Sequence, residues 1–130
     1  IEELLAKRER VARWYTERLA GIEGVQTPFL AASTTHMSWF VYVIRLVPHI
    51  DRQAVMAALA EQGIASRPYF TPIHLQPFYV ERFGYRRGDF PVTESLGDTC
   101  LAVPFSSIMT EDQVELVCDS LVCALRAQVA

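Results

Sequence analysis

Lysine is almost missing from this chain. Of its twelve basic side chains eleven are arginine, and Lys7 is the single lysine. A Schiff-base lysine needs a desolvated or cationic setting that lowers its pKa, and Lys7 lies among charged neighbours. A Gly-rich phosphate loop and a G-x-S-x-G elbow are also absent, which removes the P-loop and the α/β-hydrolase nucleophile as readings. Cys100, Cys118 and Cys123 lack metal-ligand spacing. They read as reduced thiols, and none has an evident partner base. His36 could meet His74 in space, but two histidines without a third ligand make no metal site, and His49 reads as a solvated turn residue before Asp51, so no metal is expected. No apolar run reaches the ~20 residues of a membrane helix, and no signal-peptide pattern opens the chain. A net charge of −3 argues against the basic face of a nucleic-acid binder. The expectation is a cytoplasmic protein with no membrane or nucleic-acid partner, and with no complete set of catalytic residues of its own.

What is present describes one globular domain over residues 1–130, 51% hydrophobic and 21% charged. Leu4, Leu5, Val11, Ala12, Tyr15 and Leu19 recur at helical spacing and predict a helix from Ile1 to Ala20. No capping residue precedes it, so it begins as though cut from a longer element. Gly24 to His36 reads as connector. Ser38 to Leu46 is the best strand, with Phe40, Tyr42, Ile44 and Leu46 on one face and Trp39, Val41, Val43 and Arg45 on the other. Both faces are mostly apolar, which predicts a central strand. Asp51 caps a helix that Gly63 ends, with Val55, Met56 and Leu59 facing the core. Ala65 to Phe70 returns as an edge strand, Leu75 to Phe83 and Pro91 to Leu96 read as short helices, and Leu101 to Phe105 as a brief strand. Thr110 and Gln113 form a capping box ahead of the stripe Val114, Val117, Cys118, Leu121 and Leu125. Two or three strands with flanking helices give an α+β fold, a small two-layer sandwich around a central strand.

The stretch from Ser66 to Tyr79 stands apart. It carries Pro68, Pro72 and Pro77 together with Tyr69, Phe70, Phe78 and Tyr79. Prolines at that density forbid a regular helix and hold the preceding residues extended. Arg67, Tyr69, Thr71, His74 and Gln76 are therefore held at positions set by a stiff backbone. Such a segment presents polar groups to a ligand or turns a tight corner. His74 is either a proton-transfer or ligand-contact residue or a cap for the following helix. Arg67, fixed by Pro68, suits an anion or a fixed salt bridge. Arg86 and Arg87 read as solvated surface.

The run Gly63-Ile64-Ala65-Ser66-Arg67-Pro68-Tyr69-Phe70, continuing through Pro72-Ile73-His74-Leu75-Gln76-Pro77 to Tyr79, resembles the C-terminal domain of the DegT family of nucleotide-sugar aminotransferases. The likeness runs along nearly the whole chain. It takes in Arg13-Trp14-Tyr15, Arg18-Leu19, Ser38 to Val43, Leu101 to Phe105 and Thr110-Glu111, and is nearest the perosamine-synthase-like branch. The resemblance implies the C-terminal small domain of a fold-type I enzyme dependent on pyridoxal phosphate (PLP). Such an enzyme moves an amino group, usually from glutamate, onto a keto sugar carried by a nucleotide, for polysaccharide, lipopolysaccharide or glycosylated-metabolite synthesis. The cofactor lysine would belong to an absent N-terminal large domain, so this chain alone would bind no PLP, and the whole enzyme would be a homodimer. His74, Tyr69 and Arg67 would be substrate-binding residues at the cleft; Tyr69 stands where some members have histidine, which leaves a hydroxyl rather than an acid-base group. Some relatives run a dehydration instead, a choice made outside this chain. The competing reading is a free-standing, non-catalytic α+β module that binds a ligand or partner.

Overall fold

Tyr42–Leu46 forms β2, the strand on which the core is built. In the computed structural model, which describes residues 1–129, the chain runs α1 (Glu2–Leu19), β1 (Val25–Gln26), β2, α2 (Arg52–Glu61), β3 (Arg67–Pro68), a 3-10 turn (Ile73–Leu75), α3 (Pro77–Phe83), α4 (Pro91–Thr99), β4 (Cys100–Val103) and α5 (Glu111–Val129). The sheet has four antiparallel strands in the order β1-β2-β4-β3. The α+β sandwich with a central strand is therefore the fold. The strand count of two or three is corrected to four, because β1 lies inside the stretch read as connector. Its two residues carry too short a pattern for alternation to reveal.

Tyr42, Ile44 and Leu46 from β2 and Leu101 and Val103 from β4 bury one face of the sheet under α1, α2 and α5. Each such side chain contributes roughly 1.5–3 kcal/mol. Tyr15 closes this layer: its hydroxyl donates to the Pro104 carbonyl at 2.6 Å and its ring stacks on Tyr42 at 4.9 Å. Burial pushes the hydroxyl of Tyr42 up to about 12. Arg18 joins α1 to α5 through Glu111 at 2.9 Å. The capping box on α5 forms as the spacing predicts, with Thr110 N–H donating to Gln113 at 3.0 Å and Gln113 N–H to the Thr110 hydroxyl at 3.3 Å.

Two positions depart from the sequence pattern. The strand starts at Tyr42, not Ser38, because Trp39 adopts a left-handed backbone with φ 40°. That reversal turns Trp39 into the core, stacked on Tyr42 at 5.6 Å, and sends Phe40 to solvent. The left-handed region costs a side-chain-bearing residue roughly 1–2 kcal/mol, offset here by burial of the indole. Leu4 is exposed, since the buried stripe of α1 begins only at Val11.

The second face of the sheet is covered locally by α4. Arg45 reaches off β2 to donate to Ser95 at 3.0 Å and Thr99 at 3.3 Å. Arg52, from α2, donates to the carbonyls of Gly97 and Cys100. Two arginines from different elements thus fix α4 and its junction with β4. Among the described residues, no helix is long and apolar enough to cross a membrane.

Candidate functional site

The proline-rich segment leaves the sheet at β3. Arg67 pairs in register with Ala102 and Pro68 with Leu101, and the Tyr69 N–H donates to the Cys100 carbonyl at 3.3 Å. β3 is an edge strand, where a proline costs no ladder bond. Arg67 is exposed and takes part in no ion pair among the described residues; Tyr69 is half-buried against Phe70, ring to ring at 4.3 Å. Residues two apart on an extended strand share a face, so both are presented from the same edge of the sheet.

Pro72 and His74 turn inward. His74 is 7% exposed, and its Nε2 lies 2.9 Å from Glu94 Oε1. Its ring packs against Phe90 at 4.7 Å and meets Tyr85 edge-on at 6.4 Å. Glu94 is 5% exposed in the first turn of α4. Both of its carboxylate oxygens accept the Gly88 N–H, at 2.8 and 2.9 Å, and Oε1 also accepts the Phe90 N–H at 3.2 Å. Burial raises the pKa of this carboxyl, but the two backbone donors and the His74 ring outweigh it and hold the group below its ordinary value. An ionised carboxylate can only accept, so His74 carries its hydrogen on Nε2.

The polar partner of His74 is thus a buried side chain, not the backbone cap considered above. Arg87 is exposed yet held in a two-pronged pair with Asp98 at 2.8 and 3.0 Å. Lys7 is on the surface, 2.6 Å from Glu3, a setting without the desolvation a Schiff-base lysine requires. Lys7 therefore does not fit a covalent PLP site. His36 and His49 are exposed, and no group of three metal-ligating side chains occurs among the described residues. Glu94, Gly97, Arg45 and Arg52 were not singled out by the sequence. A glutamate in the first turn of a proline-started helix reads as a solvated acid favoured by the helix dipole; only the preceding Gly88 hints that a turn brings backbone donors to it.

Outward from His74 runs a continuous band of rings. Phe78, Tyr79, Phe83, Tyr85 and Phe90 touch in succession, centroids 5.5 to 5.8 Å apart. α3 buries none of its residues. With Phe70, Ile73 and Val92 also exposed, the site is an aromatic rim with an open apolar flank, a kind of surface that marks an interaction site.

Fold and site together define a small α+β domain in which a buried His74–Glu94 pair lies beside an exposed aromatic surface. The model of the DegT/DnrJ/EryC1/StrS aminotransferase family matches residues 1–122. The chain belongs to that family. It is 34% identical over 113 residues to an uncharacterized protein of Methanocaldococcus jannaschii, covering 83% of this chain and 28% of that protein. It is 33% identical over 124 residues to the GDP-perosamine synthase of Caulobacter vibrioides, covering 93% of this chain and 32% of the synthase. The aminotransferase TlmJ of Streptoalloteichus hindustanus shares its fold at a TM-score of 0.85 and 24% identity, over 100% of this chain and 34% of TlmJ. The chain therefore spans about a third of the length of the proteins it matches.

Proposed function

We propose that this chain is the C-terminal small domain of a PLP-dependent aminotransferase that transfers an amino group from glutamate to a keto sugar carried on a nucleoside diphosphate. The observation that carries this reading is the family match over residues 1–122, together with the 33% identity to a GDP-perosamine synthase across 93% of the chain. PLP, when bound, supplies the electron sink for moving the amino group, and its lysine belongs to the large N-terminal domain. That domain covers the open apolar flank of α3, and the whole enzyme works as a homodimer in the cytoplasm.

On this reading Arg67, Tyr69 and His74 bind substrate. The planar fork of Arg67 suits two oxygens of a diphosphate. The Tyr69 hydroxyl accepts or donates to a sugar hydroxyl. His74, anchored through Nε2 to Glu94, contacts the ligand through the rest of its ring. The three residues orient the acceptor and exclude water, while proton transfer at the reacting carbon falls to the large domain.

The test uses the full-length polypeptide supplied with PLP and glutamate. Formation of 2-oxoglutarate should require a keto sugar on GDP, UDP, dTDP or CDP. Arg67→Ala should raise the KM for that sugar about tenfold, the scale of one lost charge-assisted pair, with the glutamate KM unchanged. No 2-oxoglutarate with any of the four acceptors would overturn the reading.

A further inference from the structure

Three points hold the rim segment, and all three lie on one stretch of chain. At its start the Tyr69 N–H is bound to the Cys100 carbonyl. In its middle Pro72 is buried against Gly97, so closely that a Cβ at Gly97 would stand 2.7 and 2.8 Å from Pro72 Cδ and Cγ and 3.1 Å from the Phe70 carbonyl oxygen. At its end His74 meets Glu94 at 2.9 Å. Glu94, Gly97 and Cys100 are spaced three apart, so the two helical residues lie on one side of α4, and Cys100 continues the line into β4. The segment is laid along this line like a strip on a rail.

The rail is itself fixed from behind. Arg45 holds Ser95 and Thr99, and Arg52 holds the carbonyls of Gly97 and Cys100. The Arg52 brace is made by one guanidinium nitrogen that donates to both carbonyls. The Glu94 carboxylate also gathers Gly88 and Phe90. The loop that carries Tyr85 and Phe90 is thereby set against the same rail as the rim.

We propose that Glu94 and Gly97 are positioning residues for substrate binding: Gly97 sets the depth of the rim through Pro72, and Glu94 sets the direction of His74 together with the loop beside it. Neither touches substrate. Glycine at 97 is required for space, not for backbone freedom, since any side chain there lifts the segment that carries Tyr69 and His74. The proposal rests on the reading of that segment as the substrate rim.

The experiment compares Gly97→Ala, the double variant Gly97→Ala/Pro72→Ala, and Glu94→Gln in the full-length protein. It reads hydrogen exchange of the backbone amides and the Kd for GDP, UDP, dTDP and CDP. Gly97→Ala should speed exchange at the Tyr69 amide about tenfold, the effect of an overpacked contact, and weaken the best-bound nucleotide by a similar factor. Pro72→Ala removes the two clashing ring carbons and should restore most of both. Glu94→Gln should speed exchange at the Gly88 and Phe90 amides about tenfold and leave the Tyr69 amide as in the parent. Unchanged exchange in Gly97→Ala, or failure of Pro72→Ala to restore it, overturns the role of Gly97; unchanged Gly88 and Phe90 amides overturn that of Glu94. The rim reading fails separately, if Arg67→Ala leaves every nucleotide Kd unchanged while the exchange results hold.

Discussion

At the scale of single residues, environment decides chemistry that residue type leaves open. Three cysteines of the same type sit in three settings: Cys118 is buried, Cys100 half-buried and Cys123 exposed. Burial pushes the Cys118 thiol up to about 11. The thiolate is the reactive form, so iodoacetamide at pH 8 should label Cys123 and spare Cys118 in the folded protein, with mass mapping as the check. Glu94 shifts the other way. Its folded pKa lies below the ordinary 4.5, so its contribution to stability is present in full above 4.5 and is lost as pH falls through the folded value. Glu94→Gln should be less thermostable than the parent at pH 7, and the gap in Tm should close as the solution is made more acid. His74 was visible in the sequence because prolines frame it. Glu94 was not, since its burial depends on a turn at Gly88 and on rings at Tyr85 and Phe90 that only tertiary structure brings around it.

At the scale of elements, length governs what a sequence reveals. The helices α1, α2 and α5 were legible because apolar side chains repeat through several turns, and because Asp51 and Thr110 mark two of the starts. The Asp51 carboxylate accepts from Gln53 N–H at 2.8 Å and Ala54 N–H at 3.3 Å. Thr110→Ala removes one half of the box on α5 and should cost about 1 kcal/mol of stability, measured by urea unfolding. Pairs of residues such as β1 and β3 have no period to read; β3 was placed only because Pro68 forces an extended edge. The strand at Tyr42 was overextended to Ser38, since alternation in residue type cannot register a single left-handed residue at Trp39. α3 is the reverse case. Its start is legible from Pro77, yet within this chain it buries nothing.

At the scale of the whole molecule, the core and the rim are built to different standards. The sheet and three helices enclose a continuous apolar core, while Phe70, Ile73, Phe78, Phe83 and Val92 remain in solvent on the rim side. A surface of that kind binds apolar dyes and other copies of itself. The isolated chain should enhance the fluorescence of anilinonaphthalene sulfonate and show concentration-dependent association in sedimentation. Substituting Phe78 and Phe83 by serine should reduce both, and an unchanged dye signal would place the apolar surface elsewhere. The family was legible at this scale, from the order of motifs along nearly the whole chain. The packing of α4 on the far face of the sheet was not, because it is held by Arg45 and Arg52, whose long side chains signal surface in a sequence.

Because β3 and β4 are adjacent and antiparallel, with Pro68 opposite Leu101, everything from Tyr69 to Thr99 is topologically one hairpin loop. Lengthening such a loop is cheap, about 0.6 kcal/mol for each doubling. The segment can therefore be rewritten in evolution while the sheet that holds it stays the same. A relative's version, transplanted between Pro68 and Cys100, should fold on this scaffold provided it keeps acceptors for the two bracing arginines. If the segment binds substrate as proposed, preference for the keto sugar would then travel with the transplant as an exchangeable cassette.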